Sequence, residues 1–135
     1  MIFLREYFGQ WVDHKDATDE RKANAEELLD RVNALLLEAD AHEIDLIENP
    51  ATGSYVSGTR YGGFRPQDCD QGAPNSAHKT GSAVDIYDPN NALDNWINDG
   101  ILAKHDLYRE APQATRGWCH LSTREPKSGK RTFMP

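Results

Sequence analysis

The chain has only two cysteines, Cys69 and Cys119. Two thiols cannot build a disulfide framework. A single bridge between them and two free thiols in a reducing compartment both remain open. No apolar run approaches the length of a membrane-spanning helix, so no membrane insertion is expected. The opening Met-Ile-Phe-Leu-Arg-Glu lacks the basic stretch and long apolar core of a secretory signal. Synthesis in the cytoplasm is therefore expected, and action outside would need a separate route of release. Positive charge is also short. Fifteen Lys and Arg face 22 Asp and Glu, a net charge of −7. That balance argues against a nucleic-acid partner, whose phosphates demand cationic side chains, and against an anionic membrane surface. There is no internal repeat and no low-complexity tract.

What is present suits one compact domain. A chain of 135 residues can bury one real core and is too short for two ordinary domains. Hydrophobic residues reach only 38%, yet three Trp, five Tyr and four Phe argue against disorder. The expectation is a single monomeric domain over 1–135, with residues 1–15 as an arm packed onto it.

Residues 19–41 carry the clearest pattern. Ala25, Leu28, Leu29, Val32, Leu35, Leu36 and Ala39 recur at three- and four-residue steps, which predicts an amphipathic helix. Asp16 or Thr18 is placed to cap it. Residues 44–47 and 54–57 read as short strands around an Asn-Pro-Ala-Thr-Gly turn. The glycine- and proline-rich stretch 58–74 has few apolar residues and reads as a long surface loop, a common seat of function. Ala83–Tyr87 reads as a strand, 90–104 as a helix, and 107–109 and 118–122 as further strands. The basic tail, with Arg124, Lys127, Lys130 and Arg131, reads as a solvated closing hairpin; an anionic wall polymer is an alternative target for it. Val and Ile on alternate positions favour a small antiparallel sheet covered on one side.

Strand alternation then singles out three residues. In 83–87, Val84 and Ile86 share one face and Asp85 lies on the other. In 118–122, Cys119 and Leu121 share one face, and Trp118, His120 and Ser122 the other. If the two strands are neighbours, Asp85 and His120 converge on the face away from the core. A reversal at Gly81 would bring His78 back over them. Two imidazoles and a carboxylate suit zinc, leaving a fourth position for a water whose pKa the metal lowers towards neutrality. Cys119 could stand in for His120 as ligand, but alternation puts it with Leu121 on the core side. His14, His42 and His105 read as ordinary surface or core histidines. Asp68 and Asp70 flank Cys69 and oppose its ionisation, so it is not expected to be a nucleophile.

These residues resemble a known pattern. Ser76, His78, Gly81, Ala83 and Asp85 match Ser-x-His-x-x-Gly-x-Ala-x-Asp of the zinc D,D-peptidase family. That family includes D-alanyl-D-alanine carboxypeptidases, vancomycin-resistance dipeptidases and phage L-alanyl-D-glutamate endolysins, and it shares its fold with the hedgehog signalling domain. Ser57-Gly58-Thr59-Arg60 matches the family's Ser-Gly-aromatic-Arg, with Thr in the aromatic place. His120, close behind Trp118, matches the last ligand. The resemblance implies an α+β, hedgehog-like fold with zinc on the open face of the sheet. It implies ligands at His78, Asp85 and His120, and an Arg60 that binds a substrate carboxylate or steadies the oxyanion. Ser76 and, less directly, Arg65 are expected to line the substrate site.

The chain departs from the pattern at Gly117, where the family carries its general-base Asp or Glu. Glu110 is the nearest upstream acid, and a loop over 111–116 could fold it back to the site. The expected function is a zinc-dependent hydrolase of peptidoglycan stem peptides, of phage or prophage origin, in which Glu110 relays the proton. The alternative is a zinc-containing wall-binding or virion module of the same fold without turnover.

Overall fold

The computed structural model describes residues 1–73 and 75–135. The fold is α+β. Two short helical turns open the chain: α1 at Leu4–Phe8, followed by a 3-10 turn at Gly9–Trp11. The long α2, Asp19–Ala41, starts where the Thr18 hydroxyl accepts the Arg21 amide. Every apolar position of the expected stripe, from Ala25 to Ala39, is buried. The one leucine off that stripe, Leu37, is 72% exposed.

Four strands form one sheet: β1 at Ala83–Tyr87, β2 at Tyr108–Glu110, β3 at Trp118–Ser122 and β4 at Thr132–Phe133. Their spatial order is β1-β3-β2-β4. The first three run antiparallel, but β4 pairs parallel to β2. The sheet is therefore mixed rather than antiparallel, and the tail is not a hairpin. After the turn at Lys127-Ser128-Gly129 the chain passes β3 and pairs at the outer side of β2. The Arg109 amide donates to the Arg131 carbonyl and the Ala111 amide to the Phe133 carbonyl.

Val84, Ile86, Cys119 and Leu121 join the α2 stripe, Leu93, Leu102 and Leu107 in one buried cluster. This is the core side of the sheet, as alternation requires. Cys119 lies buried there, and both cysteines are free, so no Cys69–Cys119 bridge forms.

The helix expected over 90–104 is two helices, α3 at Ala92–Trp96 and α4 at Asp99–His105. The break is chemical. Asn98 adopts an extended conformation and its side chain accepts the Ile101 amide, an N-cap that starts a new helix. Asp88 caps the first helix, accepting the Leu93 and Asp94 amides.

The strand expected at 44–47 does not form. Glu43 takes a positive φ of 60°, and the Ile44 amide returns to the Ala39 carbonyl to close α2. Residues 54–57 make only isolated bridges, Asn49 to Ser54 and Val56 to Ile86. They nonetheless cover the outer edge of β1, through Tyr87 to the Tyr55 carbonyl and Ser57 to the Asp85 carbonyl.

The stretch 58–74 is not purely surface. Phe64 is 1% exposed and its ring lies 5.1 Å from that of Phe8. The Phe64 amide donates to the Tyr7 carbonyl. A Cβ on Gly63 would sit 1.9 Å from that same carbonyl oxygen, so this close approach requires glycine. Among the described residues, no helix is long and apolar enough to cross a membrane.

Candidate metal centre

The site begins with the register of two strands. β1 and β3 pair so that Asp85 lies directly opposite His120, both on the face away from the α2 core. His78 arrives from a 3-10 turn, Ala77–Thr80, that precedes β1. The Ser76 hydroxyl starts that turn by accepting the His78 amide, and Gly81 ends it in the left-handed region at φ 77°. A Cβ on Gly81 would lie 2.5 Å from the Arg21 carbonyl oxygen of α2. Glycine is thus required at the reversal that lays His78 over the strand.

The three side chains meet. His78 Nε2 lies 3.3 Å from Asp85 Oδ1, and His120 Nδ1 lies 2.9 Å from the same oxygen. The imidazole rings stand edge to face, 5.1 Å apart. All three residues are buried, with ligand-type atoms within 4.8 Å of one another. A tetrahedral zinc with bonds of about 2.0–2.1 Å holds its ligand atoms about 3.3 Å apart, so the spacing fits a metal with little movement. A further detail fits. His78 Nδ1 donates to the Gly63 carbonyl at 2.8 Å, which leaves the lone pair on Nε2, the nitrogen that faces Asp85. A backbone carbonyl behind a ligating imidazole is the usual way to fix its tautomer.

Electrostatics follow the same lines. Burial by itself would raise the Asp85 pKa, but the charges and hydrogen bonds of His78 and His120 win and hold the carboxyl well below its usual range. Burial opposes the charge on His120, yet its hydrogen bond to Asp85, aided by Asp85 and Glu110 as charges, pushes its pKa up. The cluster favours positive charge against a fixed carboxylate, which is what a divalent cation would replace.

The trio forms the floor of a cleft of about 410 Å³, within the usual size of small-molecule sites. Glu110 lines it. The register of β2 on β3, Tyr108 to Ser122 and Arg109 to Leu121, carried one residue further sets Glu110 opposite His120. Asp85, His120 and Glu110 therefore form one cross-strand row. Glu110 reaches the site from its strand, not through the expected fold-back of loop 111–116. Gly117, at φ 93°, has open space around its Cα and brings no carboxyl to the site.

The arginines exchange places relative to expectation. Arg60 is exposed and lies outside the cleft. Its guanidinium stacks on Tyr61 at 5.2 Å, beside Trp11 and Cys69. Arg65, not Arg60, lines the cleft, with a terminal nitrogen 3.4 Å from Asp85 Oδ2 and Nε on the Tyr61 carbonyl. Gly62 and Gly63 turn the chain inward between the two positions, and the spacing of arginines in sequence carries no trace of that turn. Ser76 lines the cleft as well as capping the His78 turn.

Sequence reasoning missed four contributors. Gly63 and Tyr7 position His78 from behind, and Phe133 and Arg124 wall the cleft. The Tyr61-Gly62-Gly63-Phe64 run was the available signal for Gly63. The tail residues carry no signal of their own. On the core side, Asp94 is buried with Arg109 and Thr115, and burial raises its pKa. This network ties α3 to β2 beneath Glu110.

A second group, His14, Asp16 and Asp68, also has metal-like spacing. Two of its members are already engaged: His14 Nδ1 accepts the Asp16 amide and Asp16 Oδ2 accepts the Gln67 amide.

Comparison with family models, with curated proteins and with solved structures found no match to this chain. The His78-Asp85-His120 geometry therefore carries the functional reading.

Proposed function

We propose that the protein is a zinc-dependent peptidase of the D,D-peptidase and hedgehog-like fold that hydrolyses peptidoglycan stem peptides. The observation that carries this reading is the convergence of His78 Nε2, Asp85 Oδ1 and His120 Nδ1 on the floor of a cleft that also holds Glu110. The order of ligands along the chain and the motif around His78 support the choice of family. The peptide substrate, the origin in a phage or prophage, the monomeric state and action at the wall after release or within a virion rest on that resemblance.

When bound, zinc supplies Lewis acidity for the scissile carbonyl and lowers the pKa of water. The chain does the rest. Glu110 takes a proton from the attacking water and returns it to the departing amine. Arg65, held by the Tyr61 carbonyl and Asp85 Oδ2, presents its remaining N–H groups to a substrate carboxylate or the developing oxyanion. It takes the part that the sequence resemblance implied for Arg60. His78 and Asp85 stay fixed by the Gly63 carbonyl and Arg65.

Purified protein loaded with zinc should release fragments from muropeptides, read by mass spectrometry, which also names the bond cut. Chelation should stop release and added zinc restore it. Cleavage that survives His78→Ala would sink the proposal. The absence of a carboxyl at Gly117 favours one second reading, a zinc-holding wall-binding module without turnover. Glu110→Gln separates the two. Turnover reduced by about 10²–10⁴-fold with zinc retained supports the enzyme. Binding of muropeptides with no turnover in the parent protein supports the module.

A further inference from the structure

We infer that Arg124 is a second carboxylate-binding group of the cleft and selects peptides that carry an acidic residue near the bond held over the metal. The inference rests on the cleft being a peptide site. Arg124 leaves β3 two residues after Ser122, whose hydroxyl accepts the Arg124 amide at 2.9 Å. Ser122 shares the His120 face of β3 and lines the cleft. The turn it makes sends the Arg124 side chain back along the cleft wall.

Two neutral acceptors then hold the guanidinium. One terminal nitrogen donates to the Thr80 hydroxyl at 2.9 Å and the other to the Asn75 carbonyl. Both acceptors flank the turn that carries His78. Among the described residues no carboxylate pairs with Arg124, whereas Arg65, the cleft's other guanidinium, already faces Asp85. A guanidinium has five N–H donors in a planar fork. Two are used on neutral groups, and the rest remain for a ligand. Arg124 is solvent-exposed at the rim of the cleft; held by two neutral acceptors and uncompensated in charge, its planar fork suits bidentate binding of a carboxylate.

The rest of the cleft agrees. Trp118, Phe133 and Pro126 give it apolar surface, and the Phe133 ring stands edge-on to His120 at 6.4 Å. An aliphatic backbone with a carboxylate on one side matches such a lining.

The test uses zinc-loaded Glu110→Gln protein, so that binding is read without turnover. Two synthetic stem peptides are compared by calorimetry, identical except that the acidic residue's free carboxylate is a carboxamide in the second. The carboxylate peptide should bind about two- to fivefold more tightly, the range of a solvent-exposed ion pair. Adding Arg124→Gln, which can still donate to Thr80 or Asn75, should erase that preference and leave the carboxamide affinity unchanged. Adding Arg124→Lys should restore part of it. Zinc content and melting temperature should stay constant across the set. Equal weakening of both peptides, or a preference that survives Arg124→Gln, overturns the assignment while leaving the peptide site intact. Failure of either peptide to bind in any variant overturns the peptide site and the assignment together.

Discussion

Alternate residues of the same two strands do opposite work. On one face of β1 and β3, Val84, Ile86, Cys119 and Leu121 are buried against α2 and its partners. On the other, Asp85 and His120 face each other across the strands and meet His78. Both faces are buried. They differ in what burial demands. Apolar side chains gain from leaving water whichever neighbour covers them. A buried carboxylate and two imidazoles need partners at fixed places. The site face is therefore built from specific hydrogen bonds, His78 donating to the Gly63 carbonyl and Arg65 to Asp85, and the core face mainly from apolar packing. The consequence is a division of labour at single-residue spacing: stability should depend on one alternate set of residues along each strand, and the chemistry of the candidate metal site on the other.

The sharpest way to break that comparison is on the site face. His120→Ala should abolish zinc binding and reduce muropeptide turnover to background, with the fold retained by circular dichroism. Loss of folding instead would mean that the site face also carries stability. The core face should give the reverse result. Leu121→Ala leaves a cavity beneath the sheet and should cost about 2–5 kcal/mol in urea unfolding. Stoichiometric zinc should persist at temperatures where the variant stays folded. Zinc lost in step with a small fall in stability would show that the two faces are coupled.

The smallest effect is a pH dependence. His120 has a raised pKa in the metal-free fold. Its stabilising contribution is complete below the unfolded value near about 6.5 and fades as pH rises through the folded one. Zinc competes with that proton. Affinity should rise with pH by up to about tenfold per unit below the folded pKa, with proton release, and level off above it. Asp85, held low, contributes above about pH 3.9 and loses its contribution only as pH falls towards its depressed value. Acid release of metal should therefore follow His120. Titrations of zinc affinity from weak acid to neutral pH test this; a flat profile would contradict the pairing of His120 with Asp85.

The parts that depend on local pattern were legible in advance. The α2 stripe, the limits of β1 and β3, the two faces of those strands and the three converging residues all follow from periodicity and from Gly81. Elements set by long-range partners were not. β4 is two residues long and exists only because β2 offers an edge to it. Asn98 ends one helix and caps the next, a local signal that the apolar stripe through Ile97 and Ile101 overrode. The position of Arg65 over Asp85, rather than Arg60, depends on Tyr7 drawing Gly63 and Phe64 inward, through a hydrogen bond between Tyr7 and Phe64 that no local pattern announces. Glu110 was identified from its chemistry, while its route to the site, along β2, needed the strand register.

The Tyr7 carbonyl has a practical consequence for work with this protein. It holds the Phe64 amide, and the adjoining Gly63 carbonyl sets the tautomer of His78. The opening helix is thereby a support for the three candidate ligands. A shortened chain that begins after Tyr7 should lose the support behind His78, and an affinity handle is better joined at a point that leaves α1 seated.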